Sequence, residues 1–439
     1  MCIRDRVVLG CLLGFACQLL IAQPLSLRNC IEKGLQNNYS LRIVRNQQSI
    51  ADQNATRANA GYLPTVEARG GYDVSLDSRN NKIGGSVNRE RRAVGQSASA
   101  GVFAEWTVFD GFKIQTNWAR LNELKRQSAT QARMAIEDYV ADVAAEYYNF
   151  VQQLIRMRNL RYAVSLSKER LRIVQERYII GDNSRLDLQQ AQVDFNADSA
   201  QSLKQLELLA TSRIRLNELM AEREVNSKLT VQDTLINVSS SLSLDSLWAA
   251  TLRTNASLIN AAHNRTLAEL DFKQIASRDF PYVRLNGNYG YTFNRTGGDN
   301  SMRRHGWGGD IGVTVGMKLF DGNRRRQRAV ARLQIDNAEL AAQELQLALK
   351  ADLSDLWQAY ENNLRLLALE KQNLVNAQEN HFIACERYML GDLSGIEMRE
   401  AQKSLLDAEE RILVAEYNTK LCEISLLQLS GGILHYLTE

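Results

Sequence analysis

Two hydrophobic rhythms alternate along this chain. Beyond Pro281 every second residue is apolar: Val283, Leu285, Tyr289, Tyr291 and Phe293 fall on one side, with Arg284, Asn286, Asn288, Thr292 and Asn294 on the other. The next stretch sets Ile311, Val313, Val315, Met317 and Leu319 against Asp310, Thr314 and Lys318. Beyond Pro64, Val66, Ala68, Tyr72, Val74 and Leu76 oppose Glu67, Arg69, Asp73 and Ser75. Successive side chains of a strand point to opposite faces, so these stretches predict strands with one apolar and one polar face. Elsewhere the rhythm lengthens. Residues 112–180 and 323–390 hold neither proline nor glycine, which permits uninterrupted helix. Leu353, Tyr360, Leu367 and Leu374 recur every seven positions, and Leu349 and Leu356 supply the intervening heptad positions, the spacing of a coiled coil. As a single helix, each run would be roughly 100 Å long.

The whole pattern occurs twice. Residues 27–72 align without a gap to 244–289: Leu35, Asn38, Ser40 and Leu41 meet Leu252, Asn255, Ser257 and Leu258, and Pro64, Val66, Gly70 and Tyr72 meet Pro281, Val283, Gly287 and Tyr289. Phe109-Asp110-Gly111 meets Phe320-Asp321-Gly322, and the Glu-Arg-Tyr-x-x-Gly-Asp of 176–182 meets that of 386–392. Ala191-Gln192 then meets Ala401-Gln402. This predicts a first repeat over 23–223, a polar, serine-rich linker over 224–243, a second repeat over 244–432 and a tail over 433–439. Each repeat reads as a helix, a proline, a strand pair (about 64–109 and 281–320), a very long helix, a glycine turn and a returning helix. The polar stretches 80–92 and 296–306 read as exposed loops between the paired strands.

Composition sharpens this picture. Eighteen of the 26 glycines lie between Gly61 and Gly111 or between Pro281 and Gly322, so the helical runs are left free of breakers. Residues 7–22 are apolar, follow Arg4 and Arg6, and are too short for a confident spanning helix; 1–22 reads as a signal peptide. Asp5 is unusual so near the start of such a leader, and Cys17 is a weaker candidate for a lipidated cysteine. The net charge of +3 is spread along interleaved helix faces with no basic stripe, which argues against a nucleic-acid partner. Cys30, Cys385 and Cys422 are too scattered for a disulfide framework or a zinc site. His263, His305, His381 and His435 are equally dispersed, and no P-loop or Ser/His/Asp set stands in a plausible context, so neither an enzyme nor a cofactor is expected.

The length of the strands points to a membrane. Each alternating run is about 11 to 14 residues, and roughly 9 to 11 tilted residues cross a bilayer. Four strands cannot close a barrel, because about eight are needed and an open edge in lipid leaves backbone groups unpaired. Sharing among three chains would make twelve. A structural periplasmic coiled-coil protein would account for the helices alone, leaving the leader and the spanning strands unexplained.

The duplicated series of motifs, in this order, resembles the TolC-type outer-membrane efflux protein family over about 25–432. The resemblance implies an α+β membrane protein: a homotrimer with a twelve-stranded β-barrel, four strands per protomer, in outer-membrane lipid, continued into the periplasm by a long α-helical coiled-coil barrel. It implies the passive outer-membrane channel of a tripartite efflux or type I secretion system, docked to a periplasmic adaptor (membrane fusion) protein and an inner-membrane pump or ABC transporter. Gly181, Asp182, Asn183, Ser184 and Gly391, Asp392, Leu393, Ser394 match the adaptor-contacting tips. Glu397 and Glu400 stand at the acidic positions of the pore constriction, and Tyr388 and Asp187 match the pair that ties the tips shut. Leu393 stands where the family's closing network has an arginine.

Overall fold

The computed structural model describes residues 25–83, 86–239, 242–297 and 302–437. The expected signal peptide over 1–22, with Cys17, lies outside them. The first half runs α1 (Leu27–Asn37), α2 (Tyr39–Asn54), a short α3 (Arg57–Ala60), β1 (Thr65–Ile83), β2 (Ser86–Asp110), α4 (Lys113–Ile179) and α5 (Arg185–Leu219). The second half repeats it as α6 (Leu244–Thr254), α7 (Ala256–Ala276), β3 (Tyr282–Thr296), β4 (Met302–Gly316), α8 (Arg324–Leu390) and α9 (Gly395–Leu429). Helices α4 and α8 each have 67 residues, or roughly 100 Å of continuous helix.

One asparagine per half breaks the leading helix and fastens it. Asn38 caps α2 by accepting from the Leu41 N–H and donates to the Leu219 carbonyl, 3.1 Å away, at the end of α5. Asn255 caps α7 in the same way and donates to the Leu429 carbonyl at 2.9 Å, at the end of α9. A single amide thus satisfies both an orphan helix N–H and an orphan helix carbonyl, which explains why this residue occurs at matched positions of the duplication.

The core lies between these junctions and the middle of α4. Val140, Val143, Tyr147 and Phe150 are buried there against Ile31, Leu216, Met220 and Ile433. Fully burying each large apolar side chain is worth about 1.5–3 kcal/mol. Of the segment 224–243, expected as a polar linker, the described residues 224–239 lie against this core through Leu229, Val231 and Ile236. Leu25 and Val231 form a parallel bridge, Ile236 is buried, and the Tyr147 hydroxyl donates to Asp233 at 2.7 Å. Residues 433–437, expected as a tail, make a 3-10 turn that buries Ile433 and Tyr436. The heptad positions Leu353, Tyr360 and Leu367 of α8 are buried, and Leu349, Leu356 and Leu374 are half-buried.

The four strands form a single antiparallel sheet in the order β1-β2-β3-β4, so the two halves join through β2 and β3. The expected polar loop over 80–92 is mostly strand: the β1–β2 ladder continues to the Ile83–Ser86 pair. The loop expected over 296–306 is likewise shortened, because β4 begins at Met302 and pairs it with Thr296. Hydrophobic alternation predicts which face of a strand leaves water, whereas backbone pairing continues without it. At the other end β4 stops at Gly316, short of Met317 and Leu319, which the sequence placed in the strand.

Candidate functional site

The sheet separates its residues by polarity in register. Ala68–Val102–Tyr289–Gly309 and Gly70–Ala100–Tyr291–Trp307 are cross-strand rows on one face, whereas Glu67, Asp73, Glu105 and Asp310 fall on the other. A bulge between Thr107 and Phe109 skips Val108, pairing Phe109 with Val283. Were Val108 paired in regular alternation instead, Phe109 would turn to the polar face. The apolar face is bare in the protomer: Ile311 is 89% exposed and Leu76 77%. Tyr289 stacks on Trp307 with centroids 5.7 Å apart, and Tyr291 meets the same indole edge-on at 5.5 Å. No helix among the described residues is long and apolar enough to cross a membrane.

At the far ends of the long helices, two matched turns reverse the chain. Gly181 and Gly391 adopt φ of +84° and +86° with open space around them, a left-handed conformation that glycine takes without side-chain strain. Asp182 and Asp392 follow, exposed, and their backbone N–H groups donate to the Arg177 and Arg387 carbonyls. Asn183 and Leu393 are half-buried, and Leu393 packs against Tyr388 and Met398. Ser184 and Ser394 then open the return helices with capping boxes: Ser184 pairs reciprocally with Asp187, and Ser394 with Glu397. Each box satisfies orphan N–H groups from both directions. Large apolar side chains stand exposed beside these turns: Ile179, Ile180 and Leu186 at the first, Met389, Leu390 and Ile396 at the second.

The acidic and closing candidates are thereby placed. Glu397 is exposed, and hydrogen bonds from the Ser394 backbone and hydroxyl hold its carboxyl below the usual glutamate range. Glu400, one turn further along α9, is exposed with no hydrogen bond or ion pair to a described residue. Tyr388 is buried at the end of α8, and its hydroxyl has no hydrogen-bond partner among the described residues. Burial pushes that phenol up. Asp187 spends its carboxylate on Ser184, at 3.0 Å from the N–H and 2.7 Å from the hydroxyl, so it and Tyr388 are not joined by a hydrogen bond. Arg177 instead stacks over the Tyr388 ring at 5.2 Å and donates to its carbonyl at 3.3 Å.

A second set of side chains ties the helices just above the tips. Arg399 of α9 grips both carboxylate oxygens of Asp198 in α5 at 2.7 Å each. Ser167 of α4 also donates to Asp198, Gln402 donates to Ser167 at 3.4 Å, and Arg170 pairs with Asp194. Sequence reasoning missed these residues. The only available signal was a departure from symmetry: the positions matching Ser167, Asp198 and Arg399 in the other half are Ala377, Ala408 and Gln189. The long helices are duplicated, but the clamp that joins the first half to the second is not.

An edge-exposed sheet with one apolar face, set on paired helices of this length, is the architecture of an outer-membrane channel protomer. The chain matches the outer membrane efflux protein family over residues 30–222 and 247–432 and belongs to that family. It is 22% identical over 413 residues to outer membrane protein TolC of Vibrio cholerae serotype O1, covering 91% of this chain and 89% of that protein. It is 21% identical over 411 residues to outer membrane efflux protein BepC of Brucella suis, covering 92% and 85%. Among solved structures, the outer membrane protein VceC of Vibrio cholerae has the same fold, with a TM-score of 0.76 at 16% identity over 92% of this chain and 96% of VceC. The protein is thus an outer-membrane efflux channel component, as its strand pattern and duplicated motifs led one to expect.

Proposed function

We propose that three copies of this chain close one passive exit duct that crosses the outer membrane and reaches through the periplasm to a pump complex. The observation behind this reading is the sheet: β1 and β4 each have one neighbour, and in lipid every exposed backbone group on such an edge costs several kcal/mol. Pairing β4 of one copy with β1 of the next removes all edges once twelve strands close. The helices support the same assembly. Leu333, Leu340 and Leu347 repeat every seven residues along α8 and lie exposed in the protomer, a seam suited to a neighbouring helix.

In this reading the two turns are the periplasmic tips. Their exposed apolar side chains and Gly-Asp-x-Ser turns offer a small knob for a helical hairpin of a periplasmic adaptor (membrane fusion) protein, which links the duct to an inner-membrane pump or ABC transporter. Glu400, with Glu397 beside it, would stand in rings of three carboxylates at the constriction and favour cations. The Arg399–Asp198 clamp would hold α9, the helix that bears both glutamates, against α4 and α5. Outer-membrane fractionation followed by electrophoresis with and without heating tests the assembly: a heat-sensitive trimer is expected. A folded, detergent-solubilised barrel that sediments as a monomer would refute it.

A further inference from the structure

We propose that Arg295 and Arg303 form a binding site for the phosphate of an anionic lipid headgroup in the outer leaflet. The proposal rests on the reading that the apolar face of the sheet meets lipid and that the helices extend into the periplasm. The end of the sheet away from the helices, where β3 passes into β4, then faces outward.

The ladder supplies the first argument. Arg295 and Arg303 are direct partners across β3 and β4, with Gln96 of β2 and Val74 of β1 completing the row. Counting outward by twos from Val283 and Val315 places both arginines on the apolar face. On that face, among residues 65–76, 94–110, 282–296 and 302–316, they are the only arginine, lysine or carboxylate residues. Like charges placed directly opposite one another are unfavourable unless something offsets them. No described residue does so: both arginines are exposed and neither makes a hydrogen bond or ion pair with a described residue. The carboxylates Glu67, Asp73, Glu105 and Asp310 lie on the opposite face.

Depth supplies the second argument. One row inward lie Phe293 and His305, and the next row holds Tyr291 and Trp307. Tyrosine and tryptophan collect where hydrocarbon meets headgroups. Arg303 stands four residues beyond Trp307, roughly 13 Å along the strand at ~3.3 Å per residue. That carries two guanidinium groups from the aromatic band to the level of the phosphates. Guanidinium offers paired N–H donors whose geometry matches phosphate oxygens. A phosphate seated between the two arginines offsets their repulsion while the acyl chains of the same lipid cover the apolar rows below.

The test uses the purified full-length protein in detergent, with diphosphoryl lipid A as probe and native mass spectrometry as readout. The wild type should retain the probe. R295Q/R303Q should bind it at least about tenfold more weakly, while outer-membrane location and heat-sensitive migration stay unchanged. Dephosphorylated lipid A should bind wild type as weakly as the variant binds the probe, and equimolar inorganic phosphate should not displace it. Should the double variant fail to assemble, R303Q alone and the dephosphorylated probe decide the matter. Equal binding by the variant, equal binding of the dephosphorylated lipid, or displacement by inorganic phosphate would overturn the proposal. Loss of outer-membrane location or of the trimer in wild type would instead overturn the reading beneath it.

Discussion

Removing Arg399 should loosen α9 from the rest of the helical domain. The Asp198 side chain is only 6% exposed, and its two oxygens receive the Arg399 guanidinium at 2.7 Å each. In R399A the carboxylate would retain only the Ser167 hydroxyl. Breaking a buried pair by deleting one partner costs about 3–5 kcal/mol, because the remaining charge is left unpaired. Arg399 is itself 23% exposed, so water can reach the vacated place, and the low end of the range, about 3 kcal/mol, applies. Were α9 to open locally, that loss would raise the open population roughly a hundredfold. D198A should cost less, about 1 kcal/mol, since the freed guanidinium can turn to solvent. The double variant R399A/D198A should therefore be more stable than R399A alone. Hydrogen–deuterium exchange over residues 395–410 of detergent-solubilised protein reads all three. Exchange in R399A within about threefold of wild type, or a double variant that exchanges faster than R399A, would refute the reasoning.

Two other outcomes follow from the tips. In planar bilayers the wild-type channel should prefer cations and be blocked by multivalent ones, and E397A/E400A should weaken both properties; an unchanged preference would mean that these carboxylates lie outside the ion path. A Cβ added at Gly181 or Gly391 meets no neighbouring atom, and leucine at both costs about 1–2 kcal/mol each in left-handed backbone strain, so the barrel should still assemble. Efflux measured by dye retention should be lost, and unaltered efflux would count against a docking role for the turns.

Much of the architecture was legible because it depends on short-range periodicity. A strand that buries one face must alternate, and the apolar and polar sets assigned from Val283 to Asn294 survive in the paired sheet. A helix of 67 residues must exclude breakers, and α4 and α8 end within a residue of the glycine-free runs. The turns at Gly181 and Gly391 were readable because a positive φ restricts residue choice at a single position. Where apolar and polar residues no longer alternated in the sequence, the signal failed, and the ladder between 80 and 92 went unseen.

The tertiary structure alone decided what meets across the helices. Arg399 and Asp198 are 201 residues apart, and neither sits in a periodic pattern that anticipates the other. Their pairing depends on how α9 lies against α4 and α5, and Asp187 turns to Ser184 because a reciprocal cap lies within its own helix turn. The bulge at Val108 and the contact between β2 and β3 have the same character. Hydrophobic rhythm states which face of an element must leave water, but only packing determines which other element covers it and which charges are brought together as a result.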